Sequence, residues 1–263
     1  MKIHVLMENT TCSPEFAAEH GLSLLIESAG RKILFDTGAS PAFAENARRM
    51  GFDLSMADAV VLSHGHGDHG GGMLRFLELN SHAPIWVSPH AFDAHFNACG
   101  KEIGLDSSWQ QHAQVCVTAS DVCPLFPGVT LVAAAAVSTP YGVDSGGMKV
   151  RREGNMEPDD FRHEQYLLLE EQGKRVLFSG CSHRGILNIA SFFRPDVLVG
   201  GFHFMKWDTG KQAPLLERTA EVLLSLPTRY LTGHCTGDAA FRFLKARMGD
   251  RLCAFCSGQS ICI

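Results

Sequence analysis

Short apolar runs, separated by turn residues and by stretches with helical spacing, make up most of the chain. Helical spacing appears in the first half at Pro41–Met50 and at Met73–Leu79. In the second of these helices, Met73, Leu74 and Leu77 are expected to point inward. The strand-like runs of the first half are Lys2–Met7, Leu22–Glu27, Lys32–Phe35, Ala59–Leu62 and Pro84–Val87.

The second half continues the same alternation. Its predicted strands are Val129–Val132, Gln165–Glu170, Arg175–Phe178, Asp196–Val199, Arg229–Leu231, Leu252–Phe255 and Ser260–Ile263. Its predicted helices are Ile186–Phe193, Ala213–Leu226 and Ala239–Met248. Gly142–Asp160 is rich in glycine and charge and is predicted to be a mobile loop. Its basic residues Lys149, Arg151 and Arg152 could meet an anionic substrate, although a solvated surface is the favoured interpretation.

Residues 88–121 fit neither pattern. They contain His90, His95 and His112 together with several aromatic residues, and their periodicity is poor. Long insertions over an active site are common in enzymes, so we predict a cap or lid on an otherwise single domain of residues 1–263. None of the three histidines has a ligand-like neighbour, so a contact with metal or substrate is the less favoured interpretation for each.

The stretch after the predicted strand Ala59–Leu62 concentrates side chains that bind metals. Within six positions the chain places His64, His66, Asp68 and His69, interleaved with glycine. Residues two apart in an extended segment point the same way, so His64 and His66 can grip one ion together. Imidazole and carboxylate are usual ligands of zinc and related divalent metals. A lone histidine is most often structural, but packing hardly explains such a density of potential ligands.

A histidine also follows three later apolar strands, each after small residues. His183, His203 and His234 come after the runs that end at Phe178, Val199 and Leu231. Strand ends of the same sense gather at one edge of a sheet, which assembles residues that are distant in sequence. We therefore predict that these histidines join the loop that contains His64.

The sequence His64-Gly65-His66-Gly67-Asp68-His69 resembles the HxHxDH signature of the metallo-β-lactamase-fold superfamily. The resemblance implies a four-layer αββα sandwich with two mixed sheets face to face, and a site for two divalent ions. Zinc is the expected metal, with manganese or iron possible. The FDTG sequence that ends with Gly38 also resembles the superfamily, in which the carboxylate at the position of Asp36 supports the metal loop.

The resemblance also implies a ligand set. His64, His66 and His183 would hold the first ion, and Asp68, His69 and His234 the second. Many relatives have a bridging aspartate where this chain has Cys181, and a thiolate could bridge or bind one ion there. Asp68 could in addition orient an activated water molecule, which makes it a catalytic candidate. His203 has no ligand assignment and is the candidate proton donor or phosphate ligand.

Within the superfamily, four segments resemble a branch that includes dihydropterin-6-methyl-aminobenzene-ribofuranosyl-phosphate synthase. They are Glu8-Asn9, Gly180–Ile189, Gly200–Phe204 and Thr232–Gly237. From these segments, the candidates for substrate binding are Glu8, Asn9, Ser182, Asn188 and His203.

Composition narrows the possible partners and compartment. The net charge of −5 argues against bulk electrostatic binding to nucleic acid or to an anionic membrane. No apolar run has the length of a membrane span, and the N-terminus lacks a signal peptide, so a cytoplasmic location is expected. Nine scattered cysteines are no disulfide framework, and the Cys253/Cys256 pair is interpreted as packing residues of a terminal strand. The expected partner is an anionic small-molecule substrate; the oligomeric state is not predicted.

The leading function is hydrolase-like chemistry on a phosphorylated or ester-bearing small molecule, in which the ions activate water and bind a phosphate or ester oxygen. The first alternative is a synthase that forms a C–N bond at a pterin methylene and releases diphosphate. A di-iron redox protein is disfavoured because such proteins usually carry a flavodoxin-like domain, for which this chain is too short. A non-catalytic sensing module remains the alternative from another class, and the nearly complete ligand set argues against it.

Overall fold

The computed structural model describes all 263 residues. The strands of its first half are β1 (Lys2–Met7), β2 (Ser23–Ser28), β3 (Arg31–Phe35), β4 (Ala59–Val61), β5 (Ile85–Val87), β6 (Ala94–Phe96), β7 (Val115–Val117) and β8 (Val122–Phe126). The helices of this half are α1 (Ala42–Arg49), the single turn α2 (Gly67–Gly70) and α3 (Met73–Leu79).

The second half begins with the strand β9 (Val129–Ala133). The strands after it are β10 (Lys149–Arg152), β11 (Asn155–Pro158), β12 (Gln165–Glu171), β13 (Lys174–Phe178), β14 (Val197–Val199), β15 (Arg229–Thr232), β16 (Leu252–Ala254) and β17 (Ser260–Cys262). Its helices are α4 (Ile186–Phe193), α5 (Ala213–Ser225) and α6 (Asp238–Met248). None of the helices combines the length and the hydropathy that crossing a lipid bilayer requires.

Two seven-stranded mixed sheets form the centre of the fold. The first has the order β17-β1-β2-β3-β4-β5-β7 and the second the order β16-β15-β14-β13-β12-β9-β8. Each contains one of the two predicted hairpins, β2–β3 and β12–β13, which pair antiparallel. A separate small sheet has the order β11-β10-β6.

Three apolar clusters show how the layers stack. One cluster of 18 buried residues joins the facing sides of the two sheets, where Ile26 and Phe35 of the first sheet meet Leu167 and Phe178 of the second. A second cluster packs α1 and α3 on the outer side of the first sheet, and a third packs α4, α5 and α6 on the outer side of the second. Burying each aliphatic side chain contributes about 1.5–3 kcal/mol relative to exposure. The layers are therefore helix, sheet, sheet, helix, which confirms the predicted αββα sandwich.

The parallel strands bring the chemistry to one edge. In the first sheet β3 runs parallel to β4, and in the second β13, β14 and β15 run parallel to one another. The residues that follow these strands therefore emerge at the same ends of adjacent strands. This arrangement confirms the prediction that strand ends gather the histidines.

Two local predictions are wrong. Leu74 is 46% exposed, and Phe76 takes its inward place one helical turn after Met73. Gly142–Asp160 is not an unstructured loop, because it contains the hairpin β10–β11, which pairs with β6. The charged residues of this hairpin hide the alternation of apolar and polar positions that would predict a strand. Arg152 forms salt bridges with three carboxylates around it rather than reaching a substrate.

The segment 88–121 contributes β6 to the small sheet and β7 to the edge of the first large sheet. Its part between these strands lines the main cavity, with Asn97, Lys101 and Ile103 among the lining residues. A lid function for this segment stays a prediction.

Candidate metal centre

The loop after β4 presents the potential ligands of the signature. His64, His66 and His69 are buried, and the side chain of Asp68 is 23% exposed. The loop passes so close to the neighbouring chain that a Cβ atom on Gly65 would lie 2.2 Å from the carbonyl oxygen of Ala91. Only glycine fits there, which explains why glycine alternates with the ligands.

One group of ring nitrogens consists of His64, His66 and His183. His64 Nε2 lies 3.1 Å from His66 Nδ1, and the nitrogens of all three residues lie within 4.8 Å of one another. Neither ring nitrogen of His183 has a hydrogen-bond partner, although the residue is only 6% exposed. Its ring stacks on Phe161 with centroids 4.6 Å apart, which fixes its plane. Buried nitrogens without partners are costly unless something binds them, and a cation would.

A second group lies beside the first. His69 Nε2 is 3.2 Å from His234 Nε2 and 3.2 Å from Cys181 Sγ. Asp68 Oδ2 lies 3.3 Å from His234 Nε2 and 3.8 Å from His69 Nε2. Two nitrogens, a carboxylate oxygen and a sulfur therefore lie side by side, and this donor set suits zinc and similar ions.

The outer ring nitrogens of three of these histidines are anchored. His64 Nδ1 lies 2.8 Å from Ser63 Oγ, His69 Nδ1 lies 2.7 Å from Asp36 Oδ2, and His234 Nδ1 lies 2.9 Å from Asn9 Oδ1. Such partners hold the proton on the outer nitrogen and leave the inner nitrogen free for an ion. The arrangement fits metal ligation and agrees with the supporting position predicted for Asp36.

Two buried glutamates support the loops that carry the distant histidines. Glu164 accepts hydrogen bonds from the backbone nitrogens of His183 (2.7 Å) and Arg184 (3.1 Å), and burial raises its pKa to about 7. Glu8 accepts from the backbone nitrogen of His234 at 2.5 Å. Each carboxylate therefore fixes the backbone of one histidine that arrives from the second sheet.

The electrostatics favour a cation. Burial lowers the pKa values of His64, His66 and His183 well below normal, so their imidazoles are neutral and can act as ligands. Burial alone would also lower the pKa of His69, but the carboxylates of Asp36 and Asp68 raise it to about 9. The second group therefore lies in a strongly negative field that attracts positive charge.

A cavity of about 550 Å³ opens over both groups. Its floor includes Asp68, Cys181 and His183, and its walls include His203 and Lys206. The ring of His203 lies 4.3 Å from that of His183, and burial lowers the pKa of His203 to about 4. A substrate in this cavity would reach the inner nitrogens of the ligands.

The predicted substrate contacts of Glu8, Ser182 and Asn188 have no support from the lining of this cavity. All three are at most 3% exposed, and none lines this cavity. Glu8 supports His234, Ser182 Oγ bonds Ser179 Oγ at 2.7 Å, and Asn188 bonds the backbone of Tyr141 and Gly142. Asn9 likewise contacts His234 rather than this cavity. The resemblance to the superfamily branch correctly located these residues near the site. Their polar groups, however, form hydrogen bonds to other parts of the protein.

Sequence reasoning missed four residues next to the site, namely His20, Asp159, His163 and Glu164. His20 lines the cavity, with Nε2 3.4 Å from Asp68 Oδ2. Asp159 Oδ2 lies 2.8 Å from His95 Nδ1, a contact between residues that are distant in sequence. A signal was available, because charged residues and a histidine directly precede the apolar strand β12, and buried charges at a strand start need partners.

Sequence comparisons agree with this geometry. Residues 18–98 match the model of the metallo-beta-lactamase superfamily. The chain is 28% identical, over 267 residues, to the 7,8-dihydropterin-6-methyl-4-(beta-D-ribofuranosyl)-aminobenzene-5'-phosphate synthase of Methanocaldococcus jannaschii, an alignment that covers 91% of this chain and 89% of that protein.

Solved structures share the whole fold. A metal-dependent hydrolase of the beta-lactamase superfamily superposes with a TM-score of 0.84 at 29% identity, over 100% of this chain and 99% of that one. The Zn(2+)-bound PqqB from Methylobacterium extorquens superposes with a TM-score of 0.62 at 14% identity, over 100% of both chains, which shows the fold alone. The chain therefore has the metallo-β-lactamase fold, and residues 18–98 match the family model of that superfamily.

Proposed function

We propose that the protein is a metal-dependent enzyme with a dinuclear site, which carries out hydrolase-like chemistry on a phosphorylated or ester-bearing small molecule. The observation that supports this most is the convergence of potential ligands from both sheets beside one cavity, whose lining includes His66, Asp68, Cys181 and His183. Anchored outer nitrogens, and the neutral imidazoles of the first group, are features of a site prepared for ions rather than of ordinary packing.

The proposed first ion is held by His64, His66 and His183. The proposed second ion is held by Asp68, His69 and His234, with Cys181 as a further ligand. Zinc suits both donor sets, and manganese or iron are alternatives. Divalent ions in such a site supply Lewis acidity toward a phosphate or ester oxygen and lower the pKa of water.

The remaining side chains have separate tasks in this proposal. Asp68 presents its carboxylate between His234 and His20, where it can orient a water molecule for attack as well as bind the second ion. Lys101 and Lys206 reach the cavity from two different loops and supply positive charge for an anionic substrate. His203 lies at the wall, within reach of a substrate that rests on the floor.

His203→Ala should keep normal metal content and lose about 10²–10⁴-fold in turnover, the usual scale for general acid–base catalysis. Its neutral imidazole belongs to neither group of ligands, so its loss removes a hydrogen-bonding and proton-transfer group from the cavity wall and leaves the ions in place. Metal content and turnover are measured on the same preparation, with the exposed His82→Ala as control. Normal activity would make His203 structural, and metal loss would make it a ligand.

Cys181→Ser should lower the affinity of the second site, whereas Cys181→Asp should keep or raise it. Burial and the neighbouring Cys235 raise the pKa of the Cys181 thiol well above normal, so an ion must displace its proton to bind sulfur. Cobalt(II) in the second site should give a thiolate-to-metal charge-transfer band that is lost in Cys181→Ser and kept in Cys235→Ser. A band that persists in Cys181→Ser would remove Cys181 from the ligand set.

A second candidate function is supported by the similarity to the dihydropterin synthase of M. jannaschii. In that case the ions would bind a leaving diphosphate, and an arylamine would take the place of water. A third candidate, from another class, is a non-catalytic sensing module.

Turnover in ¹⁸O-labelled water separates these functions. Hydrolysis places one labelled oxygen in the product, while the synthase reaction places none and requires an arylamine acceptor. Label in the product from a phosphorylated or ester substrate supports the leading proposal. Diphosphate release that depends on an arylamine supports the synthase, and full metal content without turnover on either class would support the sensing module.

A further inference from the structure

A buried cluster of polar side chains lies behind His66, on the side away from the second group of ligands. Asp159 Oδ2 lies 2.8 Å from His95 Nδ1 and 3.5 Å from His163 Nε2, and Asp159 Oδ1 accepts from the backbone nitrogen of Phe161 at 2.8 Å. These three side chains are at most 2% exposed. A ring nitrogen of His66 lies within 4.8 Å of the ligand atoms of the cluster.

Three imidazoles and a carboxylate invite the interpretation of a third metal site, but the protons argue against it. The backbone nitrogen of Gly65 donates to His163 Nδ1 at 2.8 Å, and a backbone N–H can only donate. His163 Nδ1 is therefore the unprotonated nitrogen, and Nε2 carries the proton toward Asp159. A protonated nitrogen cannot bind a cation, so His163 presents an N–H to Asp159, at 3.5 Å, rather than a ligand atom to a metal.

His66 follows the same logic. Its Nδ1 faces His64 Nε2 at 3.1 Å, so ligation of the first ion through that nitrogen leaves the proton on Nε2. His66 Nε2 is buried and has no hydrogen-bond partner, whereas the outer nitrogens of His64, His69 and His234 all have one. The carboxylate of Asp159, which lies within 4.8 Å of a ring nitrogen of His66, is the acceptor that this outer nitrogen lacks.

We propose that Asp159 is the positioning residue of the first metal site, which takes the outer N–H of His66 while His95 and His163 hold its carboxylate in place. The proposal rests on the proposed ligation of an ion by His64, His66 and His183. It gives the cluster a defined task, because a carboxylate behind a ligating imidazole fixes the tautomer of the ring and makes the inner nitrogen a stronger ligand.

The position of Asp159 also links the first ion to the cavity wall. Asp159 directly follows β11, and its backbone nitrogen donates to the carbonyl oxygen of Met148, which lines the cavity. His95 belongs to β6, the strand that pairs with β10. Asp159 therefore forms one of the connections between the small sheet and the metal loop.

The test is the zinc affinity of each site in Asp159→Asn, measured by competition with a chelator. The asparagine keeps the shape and removes the charge, so the affinity of the first site should fall about 10–100-fold, the scale of losing such a partner, while the second site stays unchanged. The matched control is Glu157→Gln on β11 of the same hairpin, whose carboxylate is exposed and should not affect either affinity.

A second measurement needs no variant and remains decisive if Asp159→Asn does not fold. Nitrogen-15 spectra of the imidazoles in the zinc-loaded wild-type protein should show His163 and His66 with their protons on Nε2. Unchanged first-site affinity in a folded Asp159→Asn protein, a His66 ring without a proton on Nε2, or a third bound zinc that this variant loses would each overturn the proposal. If the wild type binds two zinc ions and the affinity is unchanged in Asp159→Asn, only the role of Asp159 is overturned. If the wild type binds no zinc, the proposed function is overturned as well.

Discussion

Replacing His183 by alanine should abolish tight binding of the first metal ion and leave the fold intact. The loss should exceed the roughly 100-fold that removal of a supporting partner costs, because one of three protein ligands disappears. The fold should survive because the loop at His183 is held through its backbone, where Glu164 accepts from the nitrogens of residues 183 and 184. His64→Ala removes a ligand of the same ion that comes from the other sheet, and it should have the same effect on metal binding.

Elemental analysis of purified variants measures this effect, and far-ultraviolet circular dichroism verifies the fold. The matched control is His112→Ala, since His112 is an exposed histidine outside both groups of ligands. A folded His183→Ala protein with full metal content would remove His183 from the ligand set, whereas metal loss in the His112 variant would point to nonspecific binding.

Replacing Asp36 by alanine should have the largest effect on stability. Asp36 is fully buried and accepts from Ser63 N, Ser63 Oγ and His69 Nδ1, each at 2.7 Å. Removal leaves these donors buried without an acceptor, and breaking a buried pair of this kind costs about 3–5 kcal/mol of the free energy of unfolding. The second ion should also bind more weakly, because His69 loses the partner that orients its ring.

Chemical denaturation of the metal-free and metal-loaded variants separates the two effects. Asp58→Ala is a suitable control, because Asp58 also joins neighbouring strands but its side chain is 26% exposed in its salt bridge with Arg31. It should cost only roughly 0–1 kcal/mol and leave metal content unchanged. Equal destabilisation by the two substitutions would show that Asp36 has no special role at the site.

The sequence was informative wherever the pattern is local. The signature from His64 to His69 places its potential ligands on one short loop, and the apolar strand before it fixes where that loop begins. The alternation of strands with helices gave nearly all elements of the two large sheets and, with the resemblance, the layers of the fold. His183 and His234 were located because each follows a parallel strand at the same edge.

The supporting residues could not be predicted in the same way, because they act across long sequence separations. Glu8 accepts a hydrogen bond from the backbone of His234, and His163 accepts one from the backbone of Gly65. The pattern of apolar and polar positions does not predict such hydrogen bonds. The hairpin β10–β11 was missed because its side chains are mostly exposed and charged, so it shows no alternation of apolar and polar positions. The contact between Asp159 and His95 depends on the position of that hairpin, so it could not be predicted either.

An anomalous difference map from crystals of the metal-loaded protein, recorded above the absorption edge of the metal found by elemental analysis, decides whether two ions occupy this site. We expect one peak among His64, His66 and His183, and a second among Asp68, His69, Cys181 and His234. A map that lacks either of these peaks, or whose principal peak lies inside the cluster around Asp159, would contradict the assignment of two ions.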